Sequence, residues 1–125
     1  YGWKKNGKHQ WYSDRKQTTI WNFAKPKRNA NHPTSKPLDL LGYPIGNSTQ
    51  ENAIVIDTFG GSGSTLMACE QINRTCCTME LDEKYASVIL RRYVDDTGDT
   101  DGVYVLRNGE KLPYSALVKD VEPAS

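Results

Sequence analysis

A glycine-rich stretch between two apolar stretches is the part of this sequence whose residue types and spacing best suit chemistry. The apolar run at 53–57, Ala-Ile-Val-Ile-Asp, leads directly into Thr-Phe-Gly-Gly-Ser-Gly-Ser-Thr at 58–65. Glycines let the backbone turn tightly and approach a ligand without a clash of Cβ atoms. A helix that begins at Ser64 directs unpaired N–H groups at whatever lies over the loop. The sequence therefore predicts a ligand-binding turn between a strand and a helix.

An acidic residue follows this turn at the distance that suits a nucleoside. Glu80 lies at the end of a second predicted strand, where a carboxylate accepts hydrogen bonds from ribose hydroxyls. The dinucleotide fingerprint fails because Leu66 replaces its third glycine, and a phosphate-binding loop fails because residues 58–73 contain no lysine. A serine-hydrolase elbow fails at Ser64, where it requires glycine. A nucleoside of another kind is predicted, with a purely structural turn as the alternative.

The elements that must position this loop alternate between strand and helix patterns. Apolar and β-branched runs predict strands at 17–23, 53–57 and 76–80. The run at 53–57 is typical of a buried, parallel strand. Helical patterns predict a short helix from about Ser35, a second helix at 64–73 and a third at 83–94. This order predicts an α/β fold.

Local signals refine these bounds. Gly42, Pro44 and Gly46 should kink or end the first helix early, so 46–52 is predicted to be a turn. Asp82 is a good N-cap for the third helix, and Arg91 and Arg92 suit the negative end of its dipole. An acidic linker is predicted at 95–102. Asn108-Gly109 then predicts a hairpin between 103–106 and 111–117.

Charge is distributed very unevenly along the chain. Residues 1–37 hold nine Lys or Arg and one acid, a net charge of +8, whereas the other 88 residues hold seven basic and fourteen acidic ones, a net charge of −7. All three tryptophans precede residue 24. Basic residues interleaved with aromatics are typical of nucleic-acid contact, with a solvated loop as the alternative. The candidates for phosphate contact are Lys4, Lys5, Lys8, Arg15, Lys16, Lys27 and Arg28.

Composition excludes several classes of protein. A chain of 125 residues with a mean hydropathy of −0.68 forms one domain with a modest core, and no apolar run is long enough to cross a bilayer. The cysteines Cys69, Cys76 and Cys77 are too few for a disulfide framework, so a reducing cytoplasm and small buried thiols are expected. No spacing of ligands suggests a metal. The chain opens at Tyr1 without a methionine, which indicates a piece of a longer protein.

Three motifs together resemble those of DNA methyltransferases that methylate amino groups. Residues 57–65, Asp-Thr-Phe-Gly-Gly-Ser-Gly-Ser-Thr, resemble their loop for S-adenosylmethionine (SAM), Asp-x-Phe-x-Gly-Ser-Gly-Thr-Thr. Residues 32–37, His-Pro-Thr-Ser-Lys-Pro, match His-Pro-Thr-x-Lys-Pro, and 79–85 match the acidic strand end with its helix cap. The resemblance covers about residues 1–98. It implies a partial Rossmann-like SAM-dependent methyltransferase fold with a basic, aromatic, loop-rich N-terminal segment, closest to phage and prophage enzymes whose catalytic motif precedes the cofactor motif.

The resemblance also implies which residues hold SAM. The methionine end would lie over the loop, with its carboxylate near the start of the following helix. Asp57 would face the ammonium, Glu80 would bind the ribose, and Leu81 would pack on the adenine. Asp82 either contacts the cofactor or acts only as the N-cap of its helix. The residues implied for SAM are His32, Thr34, Lys36, Asp57, Phe59, Gly60, Gly61, Ser62, Gly63, Ser64, Thr65, Glu80, Leu81 and Asp82.

One family motif is missing from the chain. The catalytic Asp/Asn/Ser-Pro-Pro-Tyr/Phe/Trp does not occur, and Pro-Pro is found nowhere. The chain is therefore expected to be the SAM-binding C-terminal half of an adenine-N6 or cytosine-N4 DNA methyltransferase, inactive alone. A single domain is expected, with a basic aromatic segment at 1–31, a SAM-binding core at 32–98, and a linker with a hairpin at 99–125.

The expected partners follow from this assignment. They are double-stranded DNA and, at the exposed edge of the sheet, the missing N-terminal half or a second copy; no membrane is expected. The alternatives are a non-catalytic module that binds nucleic acid or SAM and acts through a partner, and a methyltransferase for RNA or small molecules.

Overall fold

The computed structural model describes residues 2–24 and 38–118, and in these ranges the chain forms four helices and four strands. Alternation of strand and helix through the central part confirms the predicted α/β class. In chain order the elements are α1 (Leu38–Ser48), β1 (Ile54–Asp57), α2 (Ser64–Gln71), β2 (Thr75–Thr78), α3 (Glu83–Thr97), β3 (Tyr104–Arg107), β4 (Glu110–Pro113) and α4 (Tyr114–Val118).

The unit β1–α2–β2 is the centre of the fold. β1 and β2 pair in parallel, with Ile54 opposite Thr75 and Asp57 opposite Thr78. Parallel strands need a crossover, and α2 provides it. Asn52 donates its N–H to the carbonyl of Asn73 at 2.7 Å, which ties together the two segments that lead into the strands. Both strands therefore end side by side, and the loops that follow them meet at one edge of the sheet.

The core lies around α2. Its residues Met67, Ala68 and Cys69 are buried, and α1 and β2 both pack against this helix. Ile89 of α3, which is 6% exposed, covers the loop that precedes α2. The side chains of α2 thus fix the position of the glycine-rich loop relative to the sheet.

One face of this sheet is bare. Ile54 is 66% exposed and Ile56 is 73% exposed, and their partners across the strands, Thr75 and Cys77, are exposed as well. We call these four residues the bare sheet face. The prediction of a parallel strand is confirmed, but the prediction that it is buried is wrong in the part of the chain that the structure describes, because α2 covers one face and nothing described covers the other. Parallel sheets are normally covered on both faces.

The predicted early end of the first helix is also wrong. α1 continues through Gly42, Pro44 and Gly46 to Ser48, so the predicted turn at 46–52 starts later. Pro44 lacks the N–H of one helical hydrogen bond. Packing on α2 outweighs that loss, since tertiary contacts supply most of the stability of a helix in a protein.

The predicted strand at 17–23 does not form. Ile20 is 75% exposed and Trp21 is 41% exposed, and no described strand pairs with this segment. The rings of Trp21 and Phe23 instead meet Tyr43 of α1 edge-on, at centroid distances of 5.0 and 5.8 Å. A β-branched and aromatic composition favours a strand only where a neighbouring strand accepts its hydrogen bonds.

A reciprocal amide pair fastens this N-terminal segment to α1. The Gln17 amide donates to the Asn47 oxygen at 2.8 Å, and the Asn47 amide donates to the Gln17 oxygen at 2.6 Å. The backbone carbonyl of Asn47 also accepts the N–H of Tyr12 at 2.8 Å. Asn47 is only 3% exposed, so α1 holds the segment through a buried polar contact.

Replacing Asn47 by alanine should lower the free energy of unfolding by about 2 kcal/mol, because two hydrogen bonds at a buried site are lost. Urea unfolding of the single variants Asn47→Ala and Gln17→Ala and of the double variant measures the coupling. We expect about 1 kcal/mol of coupling between the two residues. Strictly additive effects would mean that the amide pair is not formed in solution.

The third helix is longer than predicted. Asp82 caps it by accepting the N–H of Lys84 at 2.8 Å, as expected, but α3 continues three residues beyond 94 to Thr97. Gly98, with φ of 71°, ends it. The last turn of α3 therefore contains no basic residue, and the predicted dipole role of Arg91 and Arg92 is wrong because the helix extends past them.

The predicted hairpin is confirmed, with a shorter second strand. Asn108 and Gly109 turn the chain with positive φ of 52° and 79°, and β3 pairs with β4 in antiparallel orientation. The second strand stops at Pro113 rather than 117, since α4 starts at Tyr114. The N–H of Tyr114 bonds to the carbonyl of Val103 at 3.0 Å, which closes the hairpin.

The three cysteines differ in burial. Cys69 is buried and Cys76 half-buried, but Cys77 is exposed on the bare sheet face, so its predicted burial is wrong. Desolvation is the main cause that raises the pKa of Cys69, and it raises the pKa of Cys76 from 9.0 to about 12. Cys76 is therefore a neutral thiol in the fold. The stability that it contributes is present below pH 9.0 and is lost as the pH rises towards about 12.

Candidate functional site

A cavity of about 400 Å³ opens between α1, the end of β1 and the start of α2. Its floor is the glycine-rich loop. Leu41 of α1, which the sequence did not indicate, closes one side. The lining residues are Leu41, Asp57, Phe59, Gly60, Gly61, Ser62, Ser64 and Thr65. Seven of the residues predicted from the sequence thus come together around one cavity.

The three loop glycines have different reasons to be glycine. A Cβ at Gly60 would lie 2.6 Å from Thr78 Oγ1, and a Cβ at Gly63, where φ is 81°, would lie 3.1 Å from Ile89. At Gly61, where φ is 54°, the nearest atom would be 4.0 Å away. Gly60 and Gly63 therefore allow other parts of the chain to pack closely against the loop, whereas Gly61 borders open space. Gly63 does not line the cavity, so a bulky residue there tests the fold rather than ligand binding.

Asp57 shapes the start of the loop. Its Oδ1 accepts the N–H of Phe59 at 3.0 Å, which bends the chain immediately after β1. The ring of Phe59 is 88% exposed at the mouth of the cavity. An aspartate and an aromatic ring, both predicted for the site, therefore line the same cavity.

Glu80 links the loop to the turn that precedes α3. Its Oε2 accepts the N–H of Gly61 at 2.6 Å, and its Oε1 accepts the N–H of Asp82 at 2.9 Å. The predicted strand at 76–80 ends at Thr78, so Glu80 lies just beyond it rather than at its last position. The carboxylate is half-buried beside the cavity floor and holds the one loop glycine that faces open space.

Glu80 and the two residues that follow it do not line the cavity. Leu81 is fully exposed, and Asp82 uses its side chain to cap α3. The structural role weighed for Asp82 is therefore present. Leu81 stands at the surface next to Glu80, where its side chain has no described packing partner to displace.

Arg92 is a site residue that the sequence reasoning missed. Its guanidinium donates to the carbonyl of Ser62 at 3.1 Å and to Oγ of Ser64 at 3.3 Å. The two serine hydroxyls are themselves 3.3 Å apart. No sequence motif indicates these contacts, because they join residues 28 and 30 positions apart that only the packing of α3 brings together.

The remaining predicted cofactor residues, and two of the predicted DNA contacts, lie outside the described residues. These residues are His32, Thr34, Lys36, Lys27 and Arg28.

The N-terminal segment displays its basic residues. All five described candidates are exposed: Lys4, Lys5, Lys8, Arg15 and Lys16. Trp3, which is 57% exposed, stacks on His9 at a centroid distance of 4.7 Å. A second cavity, of about 280 Å³, lies between this segment and α1, with Trp11, Arg15 and Trp21 in its wall. Exposed cations beside aromatic rings offer contacts to phosphates and to bases.

The ranges 2–24 and 38–118 contain neither a membrane-spanning helix nor a cluster of metal ligands. No helix there has the length and apolar character needed to cross a lipid bilayer. No group of three or more His, Cys, Asp or Glu side chains in the same ranges is arranged to hold a metal ion.

Comparison with known proteins gives a consistent result. The family model described as DNA methylase, for N6 and N4 methyltransferases, matches residues 2–91. The chain is 34% identical over 88 residues to the Type II methyltransferase M2.MboI of Moraxella bovis, across 67% of this chain and 32% of that protein. It is 32% identical over 78 residues to the Type II methyltransferase M.SmaI of Serratia marcescens, across 59% and 27%. The chain thus spans about a third or less of these curated relatives.

Solved structures agree with the fold. The crystal structure of the M1.HpyAVI–SAM complex matches with a TM-score of 0.55 and 28% identity, over 66% of this chain and 43% of that one. A second crystal structure, of M1.HpyAVI, matches with a TM-score of 0.52. The likeness confirms the fold predicted from the sequence.

Proposed function

Because this chain belongs to the DNA methylase family, we propose that it is the cofactor-binding part of a DNA methyltransferase. It binds SAM and presents the methyl group to an exocyclic amine of adenine (N6) or cytosine (N4) in double-stranded DNA. The observation that carries the proposal is the cavity over the glycine-rich loop, with Glu80 bonded to Gly61 at its floor.

The cavity and two residues beside it, Glu80 and Leu81, suit different parts of SAM. The carboxylate of Glu80 is beside the cavity floor, where a ribose hydroxyl donates to it, and the exposed Leu81 covers the adenine when the ligand is bound. The methionine end lies over Phe59, Gly60, Gly61, Ser62, Ser64 and Thr65, next to Asp57. We include Gly63, Asp82, His32, Thr34 and Lys36 in the proposed site on the strength of the motifs alone.

The chemistry assigned to this chain is orientation of the methyl donor. Bound SAM supplies an electrophilic methyl group on a sulfonium. The glycine-rich loop, with Glu80 bonded to Gly61, would hold SAM so that this methyl group faces the amine nitrogen of the base. An exocyclic amine is a weak nucleophile, so holding both partners in line contributes much of the rate. In the enzymes whose motifs this chain resembles, the Asp, Asn or Ser of an Asp/Asn/Ser-Pro-Pro-Tyr/Phe/Trp motif accepts the hydrogen bond of the amine, and these 125 residues do not contain that motif.

An NMR titration of the 125-residue chain tests the cofactor assignment. Addition of SAM should shift the amide signals of Gly60, Gly61 and Ser62, and ATP or NAD at equal concentration should not. No shift with SAM, or equal shifts with all three ligands, would refute the assignment.

The gene sequence upstream of Tyr1 tests whether the chain is part of an enzyme. A Pro-Pro-Tyr-type motif there supports the enzyme, and its absence favours a non-catalytic binding module.

We propose that the segment 1–31 meets the phosphates of DNA, and that 32–98 and 99–125 form the cofactor core and an accessory hairpin. Neutralising Lys4, Lys5 and Lys8 together to glutamine should reduce the slope of log affinity against log salt by about 3, since each phosphate contact contributes close to one unit. The measurement is DNA binding by fluorescence anisotropy at several salt concentrations. The matched control neutralises Lys84, Arg107 and Lys111, which are exposed on other elements. An unchanged slope in the first variant would leave the segment a solvated surface.

A further inference from the structure

Arg92 contacts the glycine-rich loop but does not line the cavity. We propose that Arg92 is a positioning residue that fixes Ser62 and Ser64 for the amino-acid end of SAM. The inference rests on the proposed function and adds to it a residue that none of the three motifs contains.

The contacts of Arg92 lead into the cavity through two serines. Ser62 and Ser64 line the cavity, whereas Arg92 does not. The guanidinium donates to Ser62 O at 3.1 Å and to Ser64 Oγ at 3.3 Å. A hydroxyl that accepts a hydrogen bond from arginine keeps its own proton to donate elsewhere. Arg92 therefore leaves the Ser64 hydroxyl free to donate to Ser62 or to an acceptor in the cavity, such as a carboxylate.

The loop is held from two sides by groups of opposite charge. Glu80 accepts the N–H of Gly61, and Arg92 donates to the carbonyl of the next residue, Ser62. Ile89, one turn before Arg92 on α3, lies where a side chain at Gly63 would have to go. Hydrogen bonds to charged groups are stronger than neutral ones. The helix α3 and the turn before it thus clamp three consecutive loop residues in one conformation.

The charge of Arg92 stands next to the start of α2. A cation beside the first residue of α2 is disfavoured by the helix dipole, whose positive end lies there. An anionic ligand group over the loop offsets that cost. The carboxylate of the methionine end is the anionic group that the proposed cofactor brings to this place.

Two ligands separate this role from general support of the fold. S-adenosylhomocysteine carries the carboxylate and ammonium, whereas methylthioadenosine has the same nucleoside without them. In NMR titrations of the chain, Arg92→Gln should weaken the binding of S-adenosylhomocysteine about tenfold, the equivalent of one charged hydrogen bond. The same variant should change the affinity for methylthioadenosine by no more than about twofold. Arg92→Lys should restore part of the loss. The matched control is Arg91→Gln, an exposed arginine on the same helix, which should change neither ligand.

Other outcomes would overturn the proposal. If Arg92→Gln weakens the binding of both ligands equally, Arg92 is a structural residue. If it weakens the binding of neither, Arg92 has no role in the site. Ser64→Ala provides a second variant that keeps Arg92 in the fold and should reproduce the selective loss; if it weakens neither ligand, the path through Ser64 is wrong. If the unaltered chain binds neither ligand, the proposed function fails, which is a different result from failure of the role of Arg92.

Discussion

Glu80→Ala should weaken SAM binding by about 1–3 kcal/mol, or roughly fivefold to 150-fold, the largest effect expected of a single side chain in the site. The carboxylate is expected to accept the ribose hydroxyls, and it already accepts the N–H of Gly61 at 2.6 Å. Its removal takes an acceptor from the ligand and also releases the loop. Calorimetry or NMR titration with SAM measures the change.

Two neighbouring carboxylates make the test of Glu80 specific. Glu83→Ala removes an exposed acid from the first turn of α3 and should leave SAM binding unchanged. Asp82→Ala removes the N-cap and should lower the free energy of unfolding by about 1 kcal/mol. If Glu80→Ala binds SAM as well as Glu83→Ala does, Glu80 is only a brace for the loop and the ribose lies elsewhere.

The second large effect concerns the bare sheet face and the edge of β1. β1 has a single strand partner among the described residues, and Ile54 and Ile56 are mostly exposed. An apolar strand with one unpaired edge is a site of association. We therefore expect the 125-residue chain to form dimers or larger species through this edge at micromolar concentration. A separate segment that pairs with the edge of β1 should compete with this association.

Light scattering at micromolar concentration measures this association. The double variant Ile54→Thr and Ile56→Thr keeps the strand preference of β-branched residues while removing apolar surface, so it should be mostly monomeric. The control is Leu106→Thr, an exposed apolar residue on β3 that should leave the association unchanged. A monomeric unaltered chain would mean that this surface needs no cover.

The same chain should transfer no methyl group to DNA by itself, because it contains no Pro-Pro motif to hold the amine. Transfer of labelled methyl from SAM to DNA measures this directly. Measurable transfer by the isolated chain would show that the catalytic residues lie within these 125 positions.

Local sequence predicted the elements whose signals are local. The apolar run before the glycines, the cap at Asp82 and the pair Asn108-Gly109 each depend on a few neighbouring residues. Those three elements formed where they were predicted, within three or four residues. The position of the glycine-rich loop was predictable for the same reason, since it directly follows an apolar run. Its conformation was not predictable, because glycine adopts many backbone conformations.

Predictions that depended on partners distant in sequence were the ones that failed. The segment 17–23 has the composition of a strand, but it lies against Tyr43 without a strand partner. α1 passes through Pro44 because α2 supports it. Ile54 and Ile56 look like core residues in the sequence and are exposed in the structure, since the cover for that face is not among the described residues.

The sequence by itself determined the α/β class, the glycine-rich loop with its acidic residue, and the basic charge of the N-terminal segment, because residue types and short spacings encode these features. Only the tertiary structure decided that Glu80 and Arg92 hold the loop from two sides, that Gly61 rather than Gly63 faces open space, and that Asn47 fastens the N-terminal segment to α1. Each of these contacts joins residues roughly 20 to 30 positions apart, and such pairs meet only when helices pack around a shared core.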